Sequence, residues 1–208
     1  MTTTTLNREG IADHLDIPVG DVRAAEVQLE FGAGRLDVTA ADPGFLLQGR
    51  FNPGAHYRLG TEQGYVLLRP DPDTWYRFRD WHVGLARAIP TRLRLGGGVS
   101  VAELDLSATR VTDLRLGGGV GRTKVILPTA AGHGHVRIEG GMESLDVVVP
   151  AGVAARIRTP SPAPNIVSVD VVRFPKQAPG RWQSPGYEEA THRFEIEAEI
   201  GFVSLTVR

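Results

Sequence analysis

The sequence predicts an all-β chain built as a β-solenoid, with rungs of about 20 residues. Three observations carry this expectation. The hexamer Leu-Arg-Leu-Gly-Gly-Gly begins at Leu93 and again at Leu114, 21 residues later. Around it the chain repeats one order: an apolar–polar–apolar triplet, a glycine-containing turn and a second such triplet. The 25 glycines and 14 prolines are scattered, and stretches friendly to a helix are scarce.

The first triplets are Val27-Gln28-Leu29, Leu93-Arg94-Leu95, Leu114-Arg115-Leu116, Val136-Arg137-Ile138 and Phe194-Glu195-Ile196. The second are Leu36-Asp37-Val38, Leu104-Asp105-Leu106, Val125-Ile126-Leu127, Leu145-Asp146-Val147 and Leu205-Thr206-Val207. Side chains alternate along a strand, so each triplet shows two apolar groups on one face and one polar group on the other. A single rung cannot bury such pairs, whereas rungs stacked about 4.8 Å apart bury them in continuous columns. Leu95, Leu116 and Ile138 are expected in one buried column, and Leu106, Leu127 and Val147 in another. The triple glycines are followed by neither the lysine–serine pair nor the helix of a phosphate loop. They read as corners, where a Cβ is poorly tolerated.

Taken in chain order, residues 1–24 read as a leader or cap segment, and residues 25–208 as a single solenoid domain. The best helical stretch is "REGIADHLD", Arg8 to Asp16. The first rung starts near Ala25. Between Phe45 and Pro90 the repeat blurs into further strands, and the aromatics Trp75, Tyr76, Phe78 and Trp81 gather there. They are expected to cap the core, with a carbohydrate-stacking platform as the alternative. A degenerate copy of the first triplet stands at Ala155-Arg156-Ile157. Thr159 to Gly186 holds Pro160, Pro162, Pro164, Pro175, Pro179 and Pro185 and reads as a surface loop or edge strand. The last stretch, "HRFEIEAEIGFVSLTVR", returns to the repeat and is expected to close the stack.

Composition excludes several functions. A net charge of −1 gives no reason to expect nucleic acid as a partner, and the absence of cysteine removes disulfides, thiolate metal sites and cysteine nucleophiles. No apolar run approaches bilayer-spanning length, and "MTTTTLNREG" lacks the features of a signal peptide. A cytoplasmic protein, or a soluble domain at a membrane, is expected.

The polar centres of the triplets are the candidate functional residues. Arg94, Arg115, Arg137 and Arg156 occupy first-strand centres, and Asp37, Asp105 and Asp146, with Asp170 a fourth, occupy second-strand positions. Stacked in order, they would make an arginine column and an aspartate column. Solvated outer faces explain both. The sharper reading is that the arginines bind an anion or an acidic partner, since guanidinium suits bidentate contact with carboxylate or phosphate. "GHGH", Gly132 to His135, spaces two histidines by two, but no acidic residue nearby completes a metal set, so turn histidines are expected and no metal or other cofactor. The aspartates stand singly in successive rungs, without the second carboxylate that acid–base hydrolysis needs, and Ser107, Ser144 and Ser168 lie in no nucleophile-elbow context. No catalytic residues, and no enzyme, are expected.

The stretches "VQLEFGAGRLDVTA", "LLQGRF", "LRLGGGVSVAELDLSATRVTDLRLGGGVGRTKVILP", "GHVRIEGGMESLDVVVPAGVAARI" and "HRFEIEAEIGFVSLTVR" carry a family resemblance. Over about residues 25 to 208 the chain resembles the toast-rack superfamily, which includes the C-terminal domain of LiaF-type cell-wall-active antibiotic response proteins and adhesin-like domains. The resemblance implies a right-handed β-solenoid acting in envelope-stress sensing or as an interaction module, with no catalytic residues carried over. LiaF-type proteins usually carry membrane helices before this domain, and none stands in this sequence. The expected function is a non-catalytic interaction module with a protein partner, such as a membrane or signalling protein. A polysaccharide-binding or adhesin-like β-helix and a self-associating cytoplasmic scaffold are the alternatives.

Overall fold

The computed structural model describes residues 8–60, 64–74, 77–98, 101–139, 141–159, 166–199 and 202–208. In chain order the strands are β1 (Arg8–Pro18), β2 (Ala25–Phe31), β3 (Gly34–Ala40), β4 (Phe45–Leu59), β5 (Tyr65–Pro70), β6 (Arg79–Leu85), β7 (Thr91–Gly97), β8 (Val101–Asp105) and β9 (Val111–Leu116). There follow β10 (Val120–Ile126), β11 (His133–Ile138), β12 (Met142–Val148), β13 (Ala154–Arg158), β14 (Ile166–Val169), β15 (Lys176–Ala178), β16 (Arg181–Gln183), β17 (Arg193–Ala198) and β18 (Phe202–Val207).

These strands form two parallel stacks, one for each triplet of the repeat. The first runs β5–β2–β7–β9–β11–β17–β13 and the second β6–β3–β8–β10–β12–β18–β14. Each rung gives one strand to each stack, and the apolar side chains between them form the core. At one end the long β4 crosses both stacks, antiparallel to β5 and to β6, and β1 runs antiparallel along β4. At the other end β16 pairs antiparallel with β13, and β15 with β16. This is the β-solenoid-like architecture that the repeat predicts.

Rung order departs from chain order at both ends. The β2–β3 rung lies inside the β5–β6 rung, so the chain first builds outward and then returns past β2–β3 to lay down β7–β8. The final β17–β18 rung does not close the stack. It inserts between β11–β12 and β13–β14. The stretch "REGIADHLD", the most helix-friendly in the sequence, is instead strand β1, because β4 offers it a long antiparallel ladder, broken only at Asp13 and near Pro18, and long-range pairing overrides a weak local preference.

Leu95, Leu116 and Ile138 stand opposite one another and are buried, so the first column forms as expected. The second differs by one step of two residues. Val147 joins Leu104 and Val125, whereas the Leu127 N–H donates to the Val148 carbonyl and sets Leu106 and Leu127 beside Val149. All of these side chains are buried.

The triple-glycine corners are explained by Gly97 and Gly118, whose φ angles of 104° and 91° lie in the region that favours glycine. A Cβ on Gly97 would overlap the Phe31 carbonyl oxygen, and one on Gly118 would stand 2.6 Å from the Gly97 carbonyl oxygen. The corners stack on each other's backbones.

Near β4, Trp81 is fully buried, edge-on to Phe31 and Phe51 at 5.1 Å each, and its Nε1 donates to the Pro53 carbonyl at 3.1 Å. It is a core residue, which removes it from any carbohydrate platform. Phe78 is exposed, and Trp75 and Tyr76 lie outside the described residues.

Candidate interaction face

The outer face of the first stack carries two neighbouring rows of polar side chains, two residues apart along each strand. One row runs Gln28, Arg94, Arg115, Arg137, Glu197, Arg158. The other runs Glu26, Arg92, Asp113, His135, Glu195, Arg156. Arg94, Arg115 and Arg137 therefore do form a column, in adjacent strands. Arg156 does not extend it. Arg158 occupies the equivalent position, and the inserted β17 places Glu197 between it and Arg137.

Three like charges at strand spacing repel, by up to about 1 kcal/mol per adjacent pair before salt screening. Interleaved carboxylates relieve this. Arg94 Nη2 lies 3.5 Å from Glu26, Arg115 Nε 3.4 Å from Asp113 and Arg137 Nε 3.7 Å from Glu197. These are long, solvated pairs, and the three arginine side chains keep 42%, 38% and 47% of their surface exposed. Arg156 is more committed. It donates to Gln183 Oε1 at 2.8 Å, pairs with Glu188 and lies over the Tyr187 ring at 4.3 Å.

The outer face of the second stack is mixed. Its row runs His82, Asp37, Glu103, Lys124, Asp146, Thr206, Ser168. The expected aspartate column does not form, because Asp105 stands opposite Ile126, two residues further along. Asp37 is held by Arg35 Nε at 3.2 Å and by His82 Nδ1 at 3.2 Å, and His82 Nε2 lies 3.6 Å from Asp80. Asp146 is paired with Arg208 at 2.8 Å. A depression of about 410 Å³, lined in part by His14, Asp42, Gln48, Arg50 and His82, lies beside the first of these groups.

The "GHGH" histidines are not in a turn. Gly132 makes the turn with a φ of 78°, and His133 and His135 follow on β11, both on the outer face. Glu195 stands directly opposite His135 on β17 and supplies the acidic neighbour that the local sequence lacks. Partial burial holds the His133 imidazole below its ordinary value, and His135 and Arg193 push it the same way. Glu195 was hidden from sequence reasoning because it lies sixty residues downstream, on a rung inserted out of chain order.

Among the described residues, no helix is long and apolar enough to cross a membrane. No curated protein matches the chain. The crystal structure of a candidate cell adhesion protein from Clostridium sporogenes is similar in fold, with a TM-score of 0.71 at 19% identity, covering 98% of this chain and 100% of that one. The family model for the N-terminal domain of toast_rack, DUF2154, matches residues 6–148, most of the strand stacks just described. The chain belongs to the toast-rack family.

Proposed function

We propose that this chain is a non-catalytic interaction module that binds an acidic protein partner on the outer face of the first stack. The observation that carries the reading is the column of Arg94, Arg115 and Arg137, half exposed and held, among the described residues, by long ion pairs. Guanidinium groups at a regular spacing suit an extended acidic segment, whose carboxylates can take over contacts now made by Glu26, Asp113 and Glu197. Membership of the toast-rack family supports a further step, that the partner is a membrane or signalling protein and the pathway is the response to cell-envelope stress.

The test uses poly-glutamate as the acidic probe and vesicles with and without phosphatidylglycerol as the anionic surface. Arg115→Glu and the double change Arg94→Glu, Arg137→Glu are expected to weaken poly-glutamate binding at least tenfold, with the melting temperature held. Unchanged binding, or binding confined to the anionic vesicles, overturns the protein-partner reading.

A second reading, self-association, is favoured by β14. Its described pairing is with β18 alone, and Ile166, Val171 and Val172 in and after it are 70%, 60% and 86% exposed. An edge strand can add a strand from another copy, and the apolar side chains on it and on the turn that follows would be covered in the same contact. Sedimentation of the wild type against Val172→Lys tests it: a concentration-dependent dimer lost in the variant supports the reading, and a monomer at every concentration removes it.

A further inference from the structure

We infer that His133, His135 and Glu195 form a binding site for a divalent transition-metal ion, with zinc as the reference ion. The site goes beyond the arginine column and is independent of it.

The argument begins with β11. Residues two apart on a strand project from the same face, so His133 and His135 stand side by side, with ring centroids 4.9 Å apart and planes inclined by 36°. The register of β11 against β17 places Glu195 opposite His135. One ring nitrogen from each histidine and one carboxylate oxygen lie within 4.8 Å of one another. A tetrahedral ion with bonds of about 2.0–2.1 Å needs its ligand atoms about 3.4 Å apart. The remaining closure is small for histidines that face solvent and are free to adjust.

The donor set selects the ion. Two imidazoles and one carboxylate suit zinc, cobalt, nickel and copper, whereas calcium and magnesium take oxygen ligands. Three protein donors leave a fourth position for water, and the exposed face lets water reach it.

The support around the donors is already built. Arg158 Nη1 forms an ion pair with Glu195 Oε1 at 3.0 Å, which leaves Oε2 turned towards His135, 3.7 Å from Nδ1. A carboxylate fixed through one oxygen presents the other as the ligand, the usual work of a group behind a metal donor. Below the pair, Gly134 packs against the buried ring of Phe194 and fixes the spacing of the two strands. Arg193 and Arg156, opposite His133 and Glu195, oppose a cation electrostatically, while Asp113, on the other side of His135, favours it.

The other histidine–carboxylate group is a weaker candidate. The two ring nitrogens of His82 face different carboxylates, Asp37 and Asp80, so the imidazole bridges them rather than joining them around one ion.

The experiment uses tag-free protein, since a histidine tag would compete. Zinc is titrated in competition with a chromogenic chelator, and cobalt is added to read coordination from its visible absorption. The wild type is expected to bind one equivalent, with a tetrahedral cobalt spectrum. His133→Ala, His135→Ala and Glu195→Gln should each weaken binding at least about tenfold, and His82→Ala should leave it unchanged. Melting temperatures without metal establish that the variants fold, and His135→Gln serves as the milder change where alanine does not fold. Absence of a stoichiometric ion in the wild type overturns the inference. So does binding that survives both histidine substitutions, or that is lost in His82→Ala.

Discussion

Gly134 lies opposite Phe194 across the β11–β17 ladder, and the Phe194 ring occupies the space where a Cβ of residue 134 would be. The overlap is severe, with Cδ1 at 2.6 Å and Cε1 closer still. Phe194 is 1% exposed and cannot swing aside without disturbing the core. Gly134→Ala is therefore expected to cost about 1–3 kcal/mol, read from denaturant unfolding. Shrinking the ring should return part of this, so Gly134→Ala with Phe194→Leu should lose less than the two single changes combined. Strict additivity would show that the two residues do not share this space.

Leu116 stands between Leu95 and Ile138 in the buried column, 1% exposed. Leu116→Ala should cost about 2–5 kcal/mol, as a cavity in a packed interior. Its neighbour Arg115 points outward, and Arg115→Ala should cost less than about 1 kcal/mol, the usual worth of an exposed ion pair. Equal losses for the two would contradict the alternation of buried and exposed positions along β9.

Much of this was legible before the fold. The spacing of Leu93 and Leu114 marks a rung, and alternation within each triplet marks the buried side, because both are local properties of a strand. What the repeat cannot encode is which rung lies next to which. Every rung offers similar apolar pairs, so the insertion of β17–β18 between β11–β12 and β13–β14 leaves no local trace. The same degeneracy moved Val147 by one step, since Leu145, Val147 and Val149 are all buried and any of them could stand opposite Val125 by pattern alone. For the same reason the pattern does not show that Arg158, rather than Arg156, falls in line with Arg137, or that Glu195 stands beside His135. The residues that repeat were readable, and those brought together by rung order were not.

Tyr187 sets a pH dependence. Its side chain is buried, and its hydroxyl makes no hydrogen bond among the described residues. Burial pushes its pKa above the ordinary value of 10, with Glu195 acting the same way and Arg156 opposing. Above about pH 10 the unfolded chain loses this proton more readily than the native one, so the native state binds more protons and stability falls as pH rises. The contribution is intact below pH 10. Urea unfolding at pH 8, 10 and 11 should show the fall, and Tyr187→Phe should reduce it. At pH 8 that change should be neutral or stabilising, because it removes a buried hydroxyl without a partner. A marked loss at pH 8 would reveal a hydrogen bond that the hydroxyl makes after all.

Arg156 and Arg115 should separate stability from binding. Arg156 is the least exposed of the four candidate arginines, at 25%, and joins Gln183, Glu188 and Tyr187 where β13 meets β16. Removing it leaves the Gln183 and Glu188 acceptors without their donor and uncovers the Tyr187 ring, so Arg156→Ala should cost about 1–2 kcal/mol. Arg115 has one long pair and no such role. Arg115→Ala should then weaken binding to poly-glutamate while leaving the melting temperature within about a degree, and Arg156→Ala should lower the melting temperature with a smaller effect on binding. If Arg156→Ala abolished binding in a protein of unchanged stability, the acidic partner would be engaging the β13–β16 end of the stack, and the column of Arg94, Arg115 and Arg137 would be a solvated face.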